Sequence, residues 1–160
     1  RCPDNFIILR ISTPDFIQGS CRIKNSENPC EKVKVNVTAI FTKQQIQEVY
    51  NALNPNVNSI ISIFAGRIAN AGIDPEPTMK FASDLSKDNK LIETLWASSR
   101  EVLNIFQAEK AGCHIITVPH DIINKLKGVG KNLDESSLET VKMFYEDAKS
   151  AGYKIELDGK

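Results

Sequence analysis

The sequence has 160 residues, of which 41% are hydrophobic and 25% charged, and its formal net charge is zero. This length and composition predict one globular domain with a sizeable hydrophobic core. The zero net charge argues against nucleic acid and against an anionic membrane surface as partners, and no apolar run in the sequence is long enough to cross a bilayer.

The first 31 residues form a leader that we assign to no domain. They hold three of the four cysteines, one apolar run at residues 6–11 that is compatible with a strand, and no helical periodicity. The chain starts without a methionine and without a signal-peptide pattern, so we expect a fragment or an unusual gene model. No cysteine spacing matches a zinc motif. We therefore predict free thiols in a reducing cytoplasm, with neither metal nor cofactor.

Residues 33–53 are predicted to form a strand followed directly by a helix. Apolar and polar residues alternate along the strand, which is typical of a strand with one polar face. Thr42 and Gln45 form a capping-box pattern at the start of the helix, which continues to Leu53. The alternation places Val33, Val35, Val37 and Ala39 on one face, and Lys34, Asn36, Thr38 and Ile40 on the other.

Three more strand–helix units follow in the sequence. Strands are predicted at residues 59–64, 91–97 and 113–118. The helices between them should begin at Asp74–Pro75, at Ser98 or Ser99, and at Pro119. Gly128 and Gly130 form a loop, and a capping box at Ser136 and Glu139 predicts a last helix at about 137–151, ended by Gly152.

Four consecutive strand–helix units predict an α/β fold with parallel strands and right-handed crossovers. Either an open doubly wound sheet or part of a (β/α)8 TIM barrel satisfies this pattern. The polar face of the first strand favours the barrel, because barrels tolerate polar side chains in the lumen near the carboxyl ends of strands. Since a whole barrel has eight strands and about 250 residues, the chain is predicted to supply half of one.

Polar residues cluster where the strands of such a barrel would end. Lys34 is a candidate Schiff-base nucleophile if a barrel interior lowers its pKa, although a strand-end lysine that reaches solvent is equally compatible with the pattern. Two arginines with hydroxyls and a helix N-terminus at Ser98 predict a phosphate site, whereas each arginine alone would be an ordinary surface charge. The candidates are Asn36 and Thr38 on the first strand, Ser62 and Arg67 around the second, and Ser98 and Arg100 after the third.

Several segments of the chain resemble the transaldolase family, and most closely its short branch, which also contains the fructose-6-phosphate aldolases. The resemblance covers roughly residues 32–157, which we expect to form one partial-barrel domain. The similar segments are Val-Asn-Val-Thr-Ala-Ile-Phe-Thr at 35–42, Ser-Ile-Phe-Ala-Gly-Arg-Ile at 62–68, Trp-Ala-Ser-Ser-Arg at 96–100, Gly-Cys-His-Ile-Ile-Thr-Val at 112–118 and Ser-Leu-Glu-Thr-Val-Lys-Met-Phe-Tyr at 137–145.

The resemblance implies a class I, Schiff-base barrel transferase of the pentose phosphate pathway, in carbohydrate metabolism. Such an enzyme moves a dihydroxyacetone unit between sugar phosphates, and the matched segments correspond to strands five to eight. By the same resemblance, Asn36 and Thr38 are the polar fifth-strand residues, with the threonine helping to hold the catalytic water. Phe64 favours the transaldolase branch. The residues implied to hold the substrate phosphate and its neighbouring hydroxyls are Ser62, Arg67, Ser98 and Arg100.

The chain departs from the family at the nucleophile. The family's Schiff-base lysine lies on the fourth strand in a Lys-x-Pro-x-Thr pattern, upstream of the Asn-Val-Thr found here at 36–38. Lys34 imitates that pattern with asparagine in place of proline, but the residues after Thr38 match the fifth strand. We therefore expect this chain alone to be inactive. The alternatives are a non-catalytic half-barrel that binds sugar phosphates or pairs with a second copy, and an aldolase that uses Lys34.

Overall fold

The computed structural model describes residues 34–153 and the backbone of residues 7–10. The chain divides into two compact units, residues 1–124 and residues 125–160, and each is described separately. The first unit contains a parallel sheet with its helices, and the second contains a 3₁₀ turn and a long helix.

The sheet of the first unit is parallel throughout, and its strands lie side by side in the order in which the chain makes them. In a doubly wound sheet the chain adds strands on one side of its first strand and then on the other side, so the spatial order of the strands differs from their order in the sequence. The unbroken order therefore confirms the prediction of a barrel-like α/β wall. The described strands are β1 (Ile7–Arg10), β2 (Val35–Ile40), β3 (Ser59–Ile63), β4 (Ile92–Trp96) and β5 (Ile115–Ile116).

β1 falls within the apolar run that was compatible with a strand, and it pairs with β2. The boundary that we predict at residue 31, between a leader and a barrel domain, stays a prediction. β5 has only two residues, although a strand was predicted over 113–118. Its ladder with β4 continues beyond the strand, since the N–H groups of His114 and Thr117 donate to the carbonyl oxygens of Thr94 (3.1 Å) and Trp96 (3.0 Å).

Helices follow the strands as the sequence predicts, with one addition. The first unit has α1 (Lys43–Ala52), α2 (Ala65–Asn70), α3 (Glu76–Ser86), α4 (Leu103–Lys110) and all but the last residue of α5 (His120–Lys125). The second unit continues with a 3₁₀ turn (Leu126–Gly128) and α6 (Leu133–Ser150). The addition is the short helix α2, which starts two residues after β3. Arg67 therefore belongs to a helical turn that is packed beside the sheet and not to an open loop.

Two of the predicted helix starts are confirmed to within one residue by their hydrogen bonds. The Thr42 hydroxyl accepts the N–H of Gln45 (3.2 Å), and the Gln45 side chain accepts the N–H of Thr42 (3.1 Å), which is the predicted capping box of α1. α3 begins one residue later than predicted, with Pro75 at its N-cap position, and the Asp74 side chain just before it accepts the N–H of Glu76 (2.9 Å). These caps satisfy donors that have no partner inside the helix.

Two other predicted caps are wrong. Neither Ser98 nor Ser99 caps α4, whose N-cap position is Val102 without a side-chain cap. Ser136 lies inside α6 and donates to the carbonyl of Asn132 (2.9 Å). Asn132 is the true N-cap of α6, because its side chain accepts the N–H groups of residues 134 and 135. Asparagine caps as well as serine, so the serine pattern one turn later was not needed to start the helix.

The two faces of the sheet differ in polarity. One face packs against helices α1 and α3 in a core from which water is excluded, and it contributes Val37, Ile40, Ile61, Ile63, Ile92 and Trp96. Side chains alternate along a strand, so the opposite face of the sheet carries the residues that alternate with these in β2, β3 and β4. They are Asn36, Thr38, Ile60, Ser62, Glu93 and Leu95.

The predicted alternation of β2 fails at its last two residues. Ala39 has a φ of 64°, and the register with β3 shifts between Val37 and Ile40, which pairs with Ile63. Such a bulge inserts one extra residue, so the next side chain changes face. Ile40 is consequently fully buried in the core on the helix side, and not on the polar face where the alternation placed it.

Candidate functional site

The polar candidates gather at the carboxyl edge of the sheet. Because all strands are parallel, the turns after β2, β3 and β4 lie at the same edge, where barrel active sites are built. Backbone hydrogen bonds continue past the strand ends and hold these turns together. They run from Phe64 N to Ile40 O (2.9 Å), from Ala97 N to Ile63 O (2.8 Å) and from Thr117 N to Trp96 O (3.0 Å).

Arg67 lies in the turn that follows β3. Its side chain is exposed, and its guanidinium lies over the Phe64 ring, 5.2 Å from the ring centroid. Phe64 in turn packs against Phe41, with ring centroids 5.8 Å apart and the planes tilted by 59°. A guanidinium over an aromatic face is attracted by the ring quadrupole. The aromatic pair thus supports Arg67 from the ends of two neighbouring strands.

Ser98 and Arg100 lie in the turn that follows β4. Ser98 is half-buried with a φ of 64°, a conformation that non-glycine residues adopt uncommonly and that clusters at functional sites. Arg100 is exposed. Ser99 is buried and donates its hydroxyl to the carbonyl of Thr117 (2.8 Å), which anchors the turn to the segment after β5.

The prediction of a helix N-terminus at Ser98 is wrong. α4 begins at Leu103, and two N–H groups ahead of it are already occupied. The Asn104 side chain, which is 5% exposed, accepts the N–H of Arg100 (2.8 Å) and of Glu101 (3.3 Å). An anion at this turn would therefore be held by side chains. Sequence reasoning missed Asn104, because a buried asparagine in the first turn of a helix looks like any polar residue.

The two arginine-bearing turns touch each other. The N–H of Gly66 donates to the carbonyl of Ala97 (3.2 Å), a bond that links the first turn of α2 to the end of β4. Arg67 follows Gly66 directly, and Ser98 follows Ala97. The structure therefore places Arg67, Ser98 and Arg100 on adjoining turns, and their convergence on one anion stays a prediction.

Asn36, Thr38 and Ser62 lie on the polar face, just below these turns. Asn36 and Thr38 are half-buried, and Ser62 is 4% exposed. The Asn36 side-chain oxygen is buried and has no hydrogen-bond partner within the part of the chain that the structure describes. Buried polar atoms normally have a partner, so this acceptor is suited to a hydroxyl of a bound molecule.

Glu93 is a residue of the polar face that the sequence reasoning missed. It pairs in register with Ile60, which pairs with Asn36, so the carboxylate lies in the same row two strands away. The signal was the alternation of β4, where Ile92 and Trp96 face the core. The candidates on the third predicted strand were sought only after its end, at Ser98 and Arg100, and so the carboxylate within that strand was overlooked.

Lys34 lies at the opposite end of β2. It precedes the first strand residue, Val35, and is half-buried, whereas Thr38 is near the carboxyl end. Four residues of strand separate their Cα atoms by about 13 Å. The structure therefore does not bring Lys34 to the carboxyl edge.

The residues around the start of β5 form a structural cluster. The Nδ1 atom of His114 accepts the N–H of Thr94 (3.1 Å) and lies 3.0 Å from the Thr94 hydroxyl, so this histidine ties the start of β5 to β4. Burial raises the pKa of the neighbouring Cys113 thiol to about 11, although a hydrogen bond from Ser83 partly opposes this. The thiolate is the reactive form, so Cys113 is a poor nucleophile at neutral pH.

Two kinds of feature are absent from the described residues. Residues 34–153 contain no group of three or more His, Cys, Asp or Glu side chains placed to hold a metal ion. Over the same residues, no helix has the length and apolar character needed to span a membrane.

Comparison with known proteins gives one family. The model of the transaldolase/fructose-6-phosphate aldolase family matches residues 25–158. A probable transaldolase of Thermoanaerobacter sp. is 31% identical over 129 residues, which are 78% of this chain and 54% of that protein. A probable transaldolase of Nitrosopumilus maritimus is 25% identical over 156 residues, or 96% and 65% of the two chains. A probable transaldolase of Herpetosiphon aurantiacus is 28% identical over 142 residues, or 88% and 61%. The chain thus spans between half and two thirds of the length of these curated relatives.

Proposed function

Because this chain belongs to the transaldolase/fructose-6-phosphate aldolase family, we propose that it binds a sugar phosphate at the carboxyl edge of its parallel sheet. The observation that carries the proposal is the contact between the two turns that hold Arg67 and Arg100. A guanidinium binds a phosphate through two parallel hydrogen bonds. Two such groups on adjoining turns are well placed for one phosphate.

The remaining candidates are assigned by their position relative to those arginines. We propose that Ser62 and Ser98 hold the phosphate and the neighbouring hydroxyls of the sugar. Asn36 and Thr38 lie deeper on the same face, where the carbon chain of the ligand would extend. The unpartnered oxygen of Asn36 supports a hydrogen bond with a sugar hydroxyl there.

The proposal includes the reaction class of the family. We propose a place in carbohydrate metabolism, in the pentose phosphate pathway, where the full-length proteins transfer a dihydroxyacetone unit between sugar phosphates through a Schiff base. We further propose a cytoplasmic location, because Cys113 is a free cysteine and the cytoplasm keeps thiols reduced.

The strand register supports the absence of the nucleophilic lysine from this chain. The resemblance places that lysine on the strand before the one that carries Asn36. Here the strand beside β2 is β1, and its last residue, Arg10, pairs in register with Thr38. An arginine, and not a lysine, therefore stands beside Thr38 on this strand. An arginine remains protonated in proteins and cannot supply the neutral amine that a Schiff base needs. We therefore propose that this chain binds sugar phosphates without covalent catalysis.

Borohydride trapping tests the proposal. The protein is titrated with fructose 6-phosphate in a calorimeter and is then treated with borohydride in the presence of the sugar, followed by intact mass measurement. We expect saturable binding and an unchanged mass, with an active transaldolase as the positive control for trapping. A single adduct that maps to Lys34 would instead establish the aldolase alternative, and failure to bind would refute the site.

The edges of the sheet support a second proposal, that the chain self-associates. β1 and β5 are the outermost strands of the described sheet, and outer strands present unpaired backbone groups that favour pairing with another chain. A second copy placed there would extend the wall towards a closed barrel. Sedimentation velocity should show a dimer or larger species, and a monodisperse monomer would contradict this proposal.

A further inference from the structure

The turn that carries Arg67 approaches the turn that carries Arg100 more closely than any side chain would permit. Gly66 is buried, and a Cβ atom built on it would lie 1.6 Å from the carbonyl oxygen of Ser98 and 3.3 Å from Cγ of Arg100. A carbon atom and a carbonyl oxygen normally touch at about 3.3 Å. With any residue other than glycine, the two turns would have to separate by more than an ångström.

The requirement for glycine at this position is steric and not conformational. Gly66 lies within the helical turn α2, and it is not among the described glycines that have a positive φ, which are Gly72, Gly112, Gly130 and Gly152. Its clash would be with main-chain atoms of Ser98, which cannot rotate away as a side chain could. The hydrogen bond from Gly66 N to Ala97 O (3.2 Å) fixes the same approach.

The two residues in this contact, Gly66 and Ser98, each lie close in sequence to a candidate phosphate-binding arginine. Arg67 is bonded to Gly66, and Arg100 is two residues from Ser98, whose φ of 64° is itself unusual. The separation of the two turns therefore sets the distance between the two cations. When groups that act together on one ligand are displaced by about 1 Å, most of the benefit of their combined positioning can be lost.

We propose that Gly66 is a positioning residue for the phosphate site: it allows the two turns to touch, so that Arg67 and Arg100 reach the same phosphate group. This inference rests on the proposed function, and it specifies the ligand chemistry as one phosphate monoester group shared by two guanidinium groups. Gly66 acts through its neighbours and makes no contact with the ligand itself.

The test compares Gly66→Ala with Gly128→Ala in calorimetric titrations with inorganic phosphate and with fructose 6-phosphate. Gly128 is the matched control, because its φ is not positive and an added Cβ would meet nothing within 4 Å. We expect Gly66→Ala to weaken binding of both ligands at least tenfold, and Gly128→Ala to bind as the wild type does. Equal binding by Gly66→Ala and the wild type would overturn the inference.

A double variant separates positioning from general damage. If Gly66 acts by placing Arg100, then Arg100→Gln should cost at least tenfold in the wild type and less than threefold when Gly66→Ala is already present. If the double variant weakened binding by the product of the two single-variant factors, the two residues would act independently, and the inference would be overturned.

A further pair of variants covers the case in which Gly66→Ala does not fold, as judged by circular dichroism. Arg67 and Arg100 are both exposed. If both cations hold one phosphate, Arg67→Gln and Arg100→Gln should each weaken the binding of inorganic phosphate at least tenfold. Wild-type affinity in either variant would overturn the inference. If the wild type itself binds neither phosphate nor fructose 6-phosphate, the proposed function fails, which is a different outcome from equal binding by the wild type and Gly66→Ala.

Discussion

Replacement of Arg67 by alanine is the most direct perturbation of the proposed site. A hydrogen bond to a charged group contributes about 1.5–3 kcal/mol, so Arg67→Ala should weaken binding of fructose 6-phosphate by that amount. At about 1.4 kcal/mol for each factor of ten, the dissociation constant should rise about 10- to 150-fold. Isothermal titration calorimetry at about 0.1 M salt measures this directly.

The aromatic ring beneath Arg67 provides a graded second measurement. The guanidinium lies 5.2 Å from the Phe64 centroid, and a cation–π contact at an exposed site contributes about 0.5–1 kcal/mol. Phe64→Leu keeps the charge but removes this support. It should therefore raise the dissociation constant only about two- to fivefold, which lies between the values for the wild type and Arg67→Ala.

Lys87→Ala is the matched control for the loss of one positive charge. Lys87 lies in the turn before β4, at the opposite edge of the sheet, and its side chain is 69% exposed. Salt at about 0.1 M screens exposed charges beyond about 10 Å, so binding should change by less than about twofold. The reasoning would be refuted if Arg67→Ala had no larger effect than Lys87→Ala, or if Phe64→Leu weakened binding more than Arg67→Ala.

Two further predictions concern stability, both measured by urea denaturation. Ala39→Gly should leave stability unchanged or raise it by up to about 1 kcal/mol, because relief of the positive φ offsets the greater entropy of unfolded glycine. The helical control Ala69→Gly should destabilise by roughly 0.5–1 kcal/mol. Equal losses of stability in the two variants would contradict a left-handed Ala39. Burial raises the pKa of Cys113 to about 11, so between pH 9 and 11 the unfolded chain loses a proton that the folded chain keeps, and stability falls as pH rises. After allowance for partial exposure the loss is roughly 1–2 kcal/mol, and Cys113→Ser should lack it; an identical pH slope in both proteins would refute this.

The sequence predicted those elements whose signals are local. β3 and β4 were placed within a residue or two because their core-facing side chains, such as Ile61, Ile63 and Trp96, produce dense apolar runs. The cap of α1 was predicted because Thr42 and Gln45 make reciprocal bonds within one turn. The order of polar residues after each strand was also sufficient to place Arg67 and Arg100 on adjoining turns.

Features that depend on contacts distant in the sequence were not predictable. An alanine carries no signal for a positive φ, and the bulge at Ala39 follows from the pairing of Ile40 with Ile63. Similarly, the role of Asn104 depends on where the preceding turn leaves its N–H groups. Gly66 resembles any glycine near a turn until the backbone of Ser98 is placed against it.

The agreement between strand order and chain order has a consequence for synthesis on the ribosome. Each strand pairs with the one made just before it, so the described sheet can grow as the chain emerges, at roughly 5–20 residues per second. The turns with Arg67 and Arg100 come from consecutive units, and both have been translated before β5. The edge that is proposed to bind phosphate can therefore assemble on the nascent chain while the last described strand is still being made.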